Sequence, residues 1–317
     1  MTRMLAALLL SLIVAAPLAA QPTTIVQKVR NAIAEPNFKK AETLVVDDMA
    51  ANGMTPMAIE AFSWLGRGAV AAKNYEAAMT YAARTYEMVE VQLKTRKLDD
   101  EARLPIALGA AIEVTALATA GQGGRSDAIL YLRRELDTYK GTSIVERLNK
   151  NVNLLSLEGT PAFPLDSPKW IGAPPPSLAS LKGKPVIIYL WAHWCPDCKV
   201  QGPVLEALLQ KYKNTGLTVV APTKFYGYVA KRAPAGPDEE LTYLTGIRDS
   251  VYPWLKTLPV PISDNIFSQY GVSTTPTLVL VDRAGNVSKY NPGQLTTEQL
   301  EPLIQKIVGR PVTTSQR

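Results

Sequence analysis

Cys195 and Cys198 are the two cysteines of a 317-residue chain, and they stand three positions apart in the run Trp191-Ala192-His193-Trp194-Cys195-Pro196-Asp197-Cys198-Lys199. Residues with this spacing share a face of a helix, so their thiols can close and reopen a small disulfide with little backbone movement. Such a pair holds two electrons reversibly, which is the chemistry of thiol–disulfide exchange. A bridge across two residues closes too small a loop to constrain the unfolded chain much, so a purely structural role explains the pair poorly.

The elements on either side fit that chemistry. Pro185-Val-Ile-Ile-Tyr-Leu-Trp191 is apolar and β-branched and reads as a fully buried strand. Val204, Leu205, Leu208, Leu209 and Tyr212 recur at helical spacing, with Pro196 at a favoured first-turn position and Pro203 expected to kink the helix. Cys195 thus falls at a helix N-terminus, where unpaired amides and the helix dipole stabilise a thiolate. It is the expected nucleophile, and Cys198, one turn in, the expected resolving thiol. Asp197 acts the other way, because a carboxylate beside the pair opposes thiolate formation and favours a reducing couple.

The length suggests two domains, and 47% hydrophobic with 20% charged residues is ordinary for a chain with real cores. The net charge of +6 comes from interspersed basic and acidic residues, without the basic run that nucleic-acid binding needs. Residues 1–20, with Arg3 ahead of an apolar run and a small-residue end, are expected to be a signal peptide, the alternative being a retained membrane anchor. No other apolar stretch reads as long enough to span a bilayer. Export would leave one cysteine pair in an oxidising compartment, which favours redox use over stapling.

Residues 21–157 are expected to be all-α, either a helical bundle or hairpins of tetratricopeptide type. Trp64, Leu65, Gly66, Ala69, Tyr75, Ala78 and Ala82 carry the second reading. Helices are expected from Asp99 to about Ala120, after a Ser126 cap, and from a Ser143/Glu146 capping box to Leu155. Residues 158–312 are expected to form an α/β domain with a helical insertion between Thr223 and Pro261, and Pro302 is expected to disturb the last helix.

The motif Trp191-Ala-x-Trp-Cys-x-x-Cys-Lys199, the kinking Pro203, Thr275-Pro276 ahead of a strand, and the Asp282–Asn286 hairpin together resemble a thioredoxin fold. The lead-in Ser180-Leu-Lys-Gly-Lys and the insertion after Ala221 make it more similar to the exported TlpA/ResA group, over about residues 159–309. The resemblance implies a thiol-disulfide oxidoreductase in the periplasm or cell envelope that uses no cofactor and no metal. It implies Cys195 as nucleophile and Cys198 as resolving thiol, with Trp191, Trp194, Pro196 and Asp197 as active-site support. Pro276 would be a cis proline facing the pair, and Thr275 would offer its backbone to a substrate chain. The implied partners are a disulfide-containing protein and a membrane-bound electron donor, and the helical domain would dock a partner.

The chain departs from the group in its acids. Tyr189 stands where many thioredoxins keep a buried carboxylate, and Thr223 and Lys224 stand where the group can supply another. Glu239 and Glu240 read as a solvated charge run and are candidates for the proton acceptor of Cys198 only if the insertion folds back, so that acceptor stays unnamed. His193, the sole histidine, could assist proton transfer or complete a copper or zinc site with the two thiols. Alternatives left open are a disulfide oxidant or isomerase, a metallochaperone, and a vestigial redox site on a working helical domain. The missing threonine three residues before Cys195 argues against peroxidase chemistry.

Overall fold

The computed structural model describes residues 23–309. The expected signal peptide at 1–20 and residues 310–312 of the expected C-terminal domain lie outside the described residues. The first part is helical: α1 (Ile25–Ala34), α2 (Phe38–Asn52), α3 (Pro56–Ala71), α4 (Tyr75–Leu93), α5 (Leu104–Gly121), α6 (Arg125–Thr138) and α7 (Val145–Ser156). Thr24, Asn37, Thr55 and Asn74 each accept the amide three residues on and so cap α1 to α4. Each cap stabilises its helix by about 1 kcal/mol.

Consecutive helices pair, α1, α3, α5 and α7 lie side by side, and α2, α4 and α6 each pack on the helix that follows. That neighbour pattern is the stacking of αα hairpins, in which each unit buries its apolar face on the next. α5 sits centrally, with Leu104, Leu108 and Ile112 fully buried. By length and composition it is apolar enough to cross a membrane, which corrects the reading that nothing beyond the N-terminal run is.

Three expected helix starts move. A 3-10 turn at Leu98–Asp100 precedes α5, which begins at Leu104 because Pro105 lacks an N–H and fits only the first turn. Asp99 instead accepts the Ser143 amide and hydroxyl, so Ser143 is no cap and α7 starts from Ile144. Gly124, not Ser126, precedes α6.

The second part is α/β: β1 (Lys169–Gly172), α8 (Leu178–Leu181), β2 (Val186–Leu190), α9 (Pro196–Lys211), β3 (Thr218–Val220), α10 (Pro237–Val251), β4 (Pro259–Ile262), α11 (Asp264–Gln269), β5 (Thr277–Val281), β6 (Val287–Pro292) and α12 (Thr297–Val308). The main sheet runs β3-β2-β5-β6, with β2 parallel to β3 and antiparallel to β5, and β5 antiparallel to β6. Every residue of β2 and β5 is buried. Alternate side chains feed two cores, Ile187 and Tyr189 toward α9 and α12, Val186, Ile188 and Leu190 toward α11. Each aliphatic side chain buried this way stabilises the fold by roughly 2 kcal/mol.

β1 and β4 form an antiparallel pair that was not expected. β4 lies in the expected insertion, where Pro259 and Pro261 obscure a strand pattern. Their carbonyls accept from Ala221 and Thr223, so β4 continues the sheet beyond β3. Pro302 does not break α12, because Leu300, Ile304, Ile307 and Val308 anchor its buried face and the Thr296/Gln299 capping box forms.

Candidate active site

Cys195 is the N-cap of α9, and its Sγ accepts the Cys198 amide at 3.0 Å. The two cysteines are joined as a disulfide with Cα atoms 5.3 Å apart. Neither is broadly exposed, at 2% for Cys195 and 0% for Cys198. The difference between them lies in what they face. Cys195 Sγ is 3.4 Å from the Thr275 carbonyl oxygen, and the Thr275–Pro276 peptide is cis. β2 aims the motif and β5 starts from Thr277, so the sheet brings the two loops together across 80 residues of sequence.

The expected support residues take distinct places. Trp191 is buried, donates Nε1–H to the Ala221 carbonyl and stacks edge-on to Tyr252 at 5.0 Å. Trp194 is 46% exposed and meets Tyr226 edge-on at 5.6 Å, which makes it a partial cover instead of core packing. Pro196 and Asp197 are exposed in the first turn of α9. Tyr189, at the position of the family acid, donates its hydroxyl to the Cys198 carbonyl at 2.8 Å. Burial pushes that phenol well above its ordinary range, so it stays a donor.

The insertion folds back onto the motif, and here the charge-run reading is corrected. Glu239 is exposed, but Glu240 is buried because α10 turns Glu240, Leu244 and Arg248 inward on one face. The Glu240 carboxylate accepts the Tyr226 and Gly227 amides at 2.6 and 2.8 Å. His193 lies against it, enclosed edge-on by Tyr226, Tyr228 and Tyr243 at 5.5, 5.3 and 5.3 Å. Burial lowers the His193 pKa, and Glu240 partly opposes that. The contacts of His193 therefore run to the insertion. Thr223 donates to the Trp191 carbonyl at 2.9 Å, and Lys224 pairs with Glu146 of α7 at 3.2 Å.

The helical part reaches the segment that leads to the site. α7 packs on the segment before the cis proline, where Asn153 Nδ2 donates to the Gln269 carbonyl at 3.0 Å. Gly271 has φ +60°, and a Cβ there would collide with the Lys150 backbone nitrogen. Only glycine allows that approach.

A thioredoxin-like domain family model matches residues 177–307. The thiol-disulfide oxidoreductase ResA of Bacillus thuringiensis (strain Al Hakam) is 31% identical over 132 residues, covering 41% of this chain and 67% of the relative. The ResA of Halalkalibacterium halodurans is 26% identical over 132 residues, covering 41% and 66%. Among solved structures, a thiol-disulfide isomerase from Corynebacterium glutamicum is 19% identical, covers 48% of this chain and 97% of its own, and superposes with a TM-score of 0.39. With its cysteine pair on a helix N-terminus against a cis proline, the chain belongs to the ResA family of thioredoxin-like thiol-disulfide oxidoreductases.

Proposed function

We propose that this chain reduces protein disulfides in the cell envelope, where the N-terminal apolar run directs it. In the reduced protein the Cys195 thiolate attacks a substrate disulfide. The substrate S–S bond breaks, a mixed disulfide forms, and the departing substrate thiolate takes a proton. Cys198, as thiolate, then attacks Cys195 Sγ, releases the second substrate thiol and leaves the Cys195–Cys198 bond. Two electrons and two protons pass from protein to substrate, and a membrane-bound donor restores the dithiol.

The observation that carries this order is the position of Cys195 Sγ, which takes a helix amide at 3.0 Å and faces the Thr275 carbonyl at 3.4 Å. The amide supports a thiolate, and the Thr275 backbone beside it would be offered to an extended substrate chain. Trp194 covers the approach, Trp191 and Pro196 hold the junction, and Asp197 tilts the couple toward reduction. In cells carrying Cys198→Ser, client proteins should accumulate as disulfides to Cys195 and be recovered under non-reducing conditions. Equal trapping by Cys195→Ser would reverse the assigned roles.

A further inference from the structure

A cavity of about 360 Å³ lies between the helical domain and the loop that leads to the cis proline. Arg67 of α3, Glu113 of α5 and Arg147 and Lys150 of α7 line it on one side, Ser273 and Thr274 on the other. The charges do not cancel. Glu113 Oε2 accepts from Arg147 Nε and Lys150 Nζ, both at 2.9 Å, and from Asn151 Nδ2 at 3.3 Å, so its one negative charge is set against two cations. The other nearby acid, Glu60, is held by Arg103.

Arg67 is left over. Among the described residues it has no ion pair, and its buried Nε has no hydrogen-bond partner. Its guanidinium stacks on the Trp64 ring at 4.3 Å, and Arg30 lies over the same ring at 4.5 Å. Burial and the neighbouring Arg147 push the Arg67 pKa down to about 10, which leaves it a cation in neutral solution. A partly buried cation that makes no direct ion pair is costly; Glu113 and Glu60 lie near enough to offset part of that cost, and an anion in the cavity would offset more.

The location says which anion. Thr274 lines the cavity, and the next residue, Thr275, carries the carbonyl that faces Cys195. A chain laid along Thr275 advances about 3.3 Å per residue, so side chains within one to three residues of the attacked cysteine come over the cavity. We propose that this interdomain cavity is a carboxylate subsite that takes an Asp or Glu side chain flanking the disulfide of the substrate polypeptide. The subsite rests on the dithiol reading above and would give the helical domain a share in substrate choice.

The test uses the pre-reduced full-length protein and cystine peptides that differ only in carrying Glu, Gln or Lys at one of three positions on either side of the cysteine. At one such position the Glu peptide should exceed the Lys peptide by about tenfold in kcat/KM, the scale of one charge-assisted hydrogen bond. The ratio should fall toward one in Arg67→Gln and be largely kept in the charge-preserving Arg67→Lys. Equal turnover of the three peptides at every position would overturn the subsite while leaving the dithiol chemistry standing, as would a preference that survives Arg67→Gln. No thiol release from any peptide would overturn both. Should Arg67→Gln fail to fold, the wild-type peptide series decides.

Discussion

His193 Nε2 lies 3.3 Å from Glu240 Oε1, with both side chains 1% exposed, and the contact lacks the alignment of a hydrogen bond. It joins the strand end that carries the cysteines to the first turn of α10. Glu240 also holds the Tyr226 and Gly227 amides, so one carboxylate fixes the loop that meets Trp194. Glu240→Ala would leave two amides without their acceptor and should cost about 3 kcal/mol. Limited proteolysis should then cut within residues 224–236, whereas an intact loop at equal stability would deny Glu240 that role.

The same pair sets a pH dependence. A histidine whose pKa is lowered by folding binds its proton more readily in the unfolded chain, so stability is full above the ordinary value of about 6.5 and falls as pH drops below it. The groups facing His193 are Glu240 and the phenols of Tyr226, Tyr228 and Tyr243. His193→Gln should flatten the loss of Tm just below pH 6.5. An unchanged slope would place the titration elsewhere.

Glu113 acts in a separate window. Burial alone would raise its pKa, but Arg147 and Lys150 hold it down at about 2. A depressed carboxylate stabilises the fold above its unfolded value, about 4.5, and that contribution is lost as pH falls toward 2. Glu113→Gln should cost on the order of 3 kcal/mol at neutral pH, and the gap to wild type should close on acidification below about 4.5. A gap that stays constant with pH would mean packing, not charge, is lost.

Close approach at Gly271 is also measurable. Gly271→Ala adds a methyl against the α7 backbone at φ +60°, and should cost at least about 2 kcal/mol. Because the displaced segment leads into Thr275, kcat/KM for disulfide reduction should fall along with Tm. A drop in Tm alone would show that the loop at Thr275 tolerates the shift.

Much of this site was legible in the run from Pro185 to Lys199, because an apolar strand, a proline at the helix start and a cysteine pair at helical spacing are all local signals. Glu240 was legible only as one of two acids conditional on the insertion folding back, although its spacing to Leu244 and Arg248 marks the inward face of α10. Beside Asp238 and Glu239 it resembled solvated charge, and burial of a carboxylate depends on partners that only the folded insertion supplies. β4 was hidden by Pro259 and Pro261, which lack an N–H and break the pattern used to find a strand, and β1 went unseen with its partner. The docking of α7 on residues 269–274 needs residues 116 apart in sequence to meet, as Asn153 and Gln269 do, and no local pattern encodes that.

Tyr189 supplies a narrower check. Tyr189→Phe removes one buried hydrogen bond to the Cys198 carbonyl and should cost about 1 kcal/mol. Iodoacetamide should still alkylate reduced Cys195 ahead of Cys198, since the helix amides that favour Cys195 are untouched. A reversal would tie the order of reactivity to Tyr189.

The direction of electron flow is decided by the reduction potential of the Cys195–Cys198 couple, measured by equilibration with glutathione or dithiothreitol buffers. A value near that of thioredoxin, about −270 mV, is expected of a reductant, whereas one near about −120 mV would contradict it and make the protein a disulfide donor.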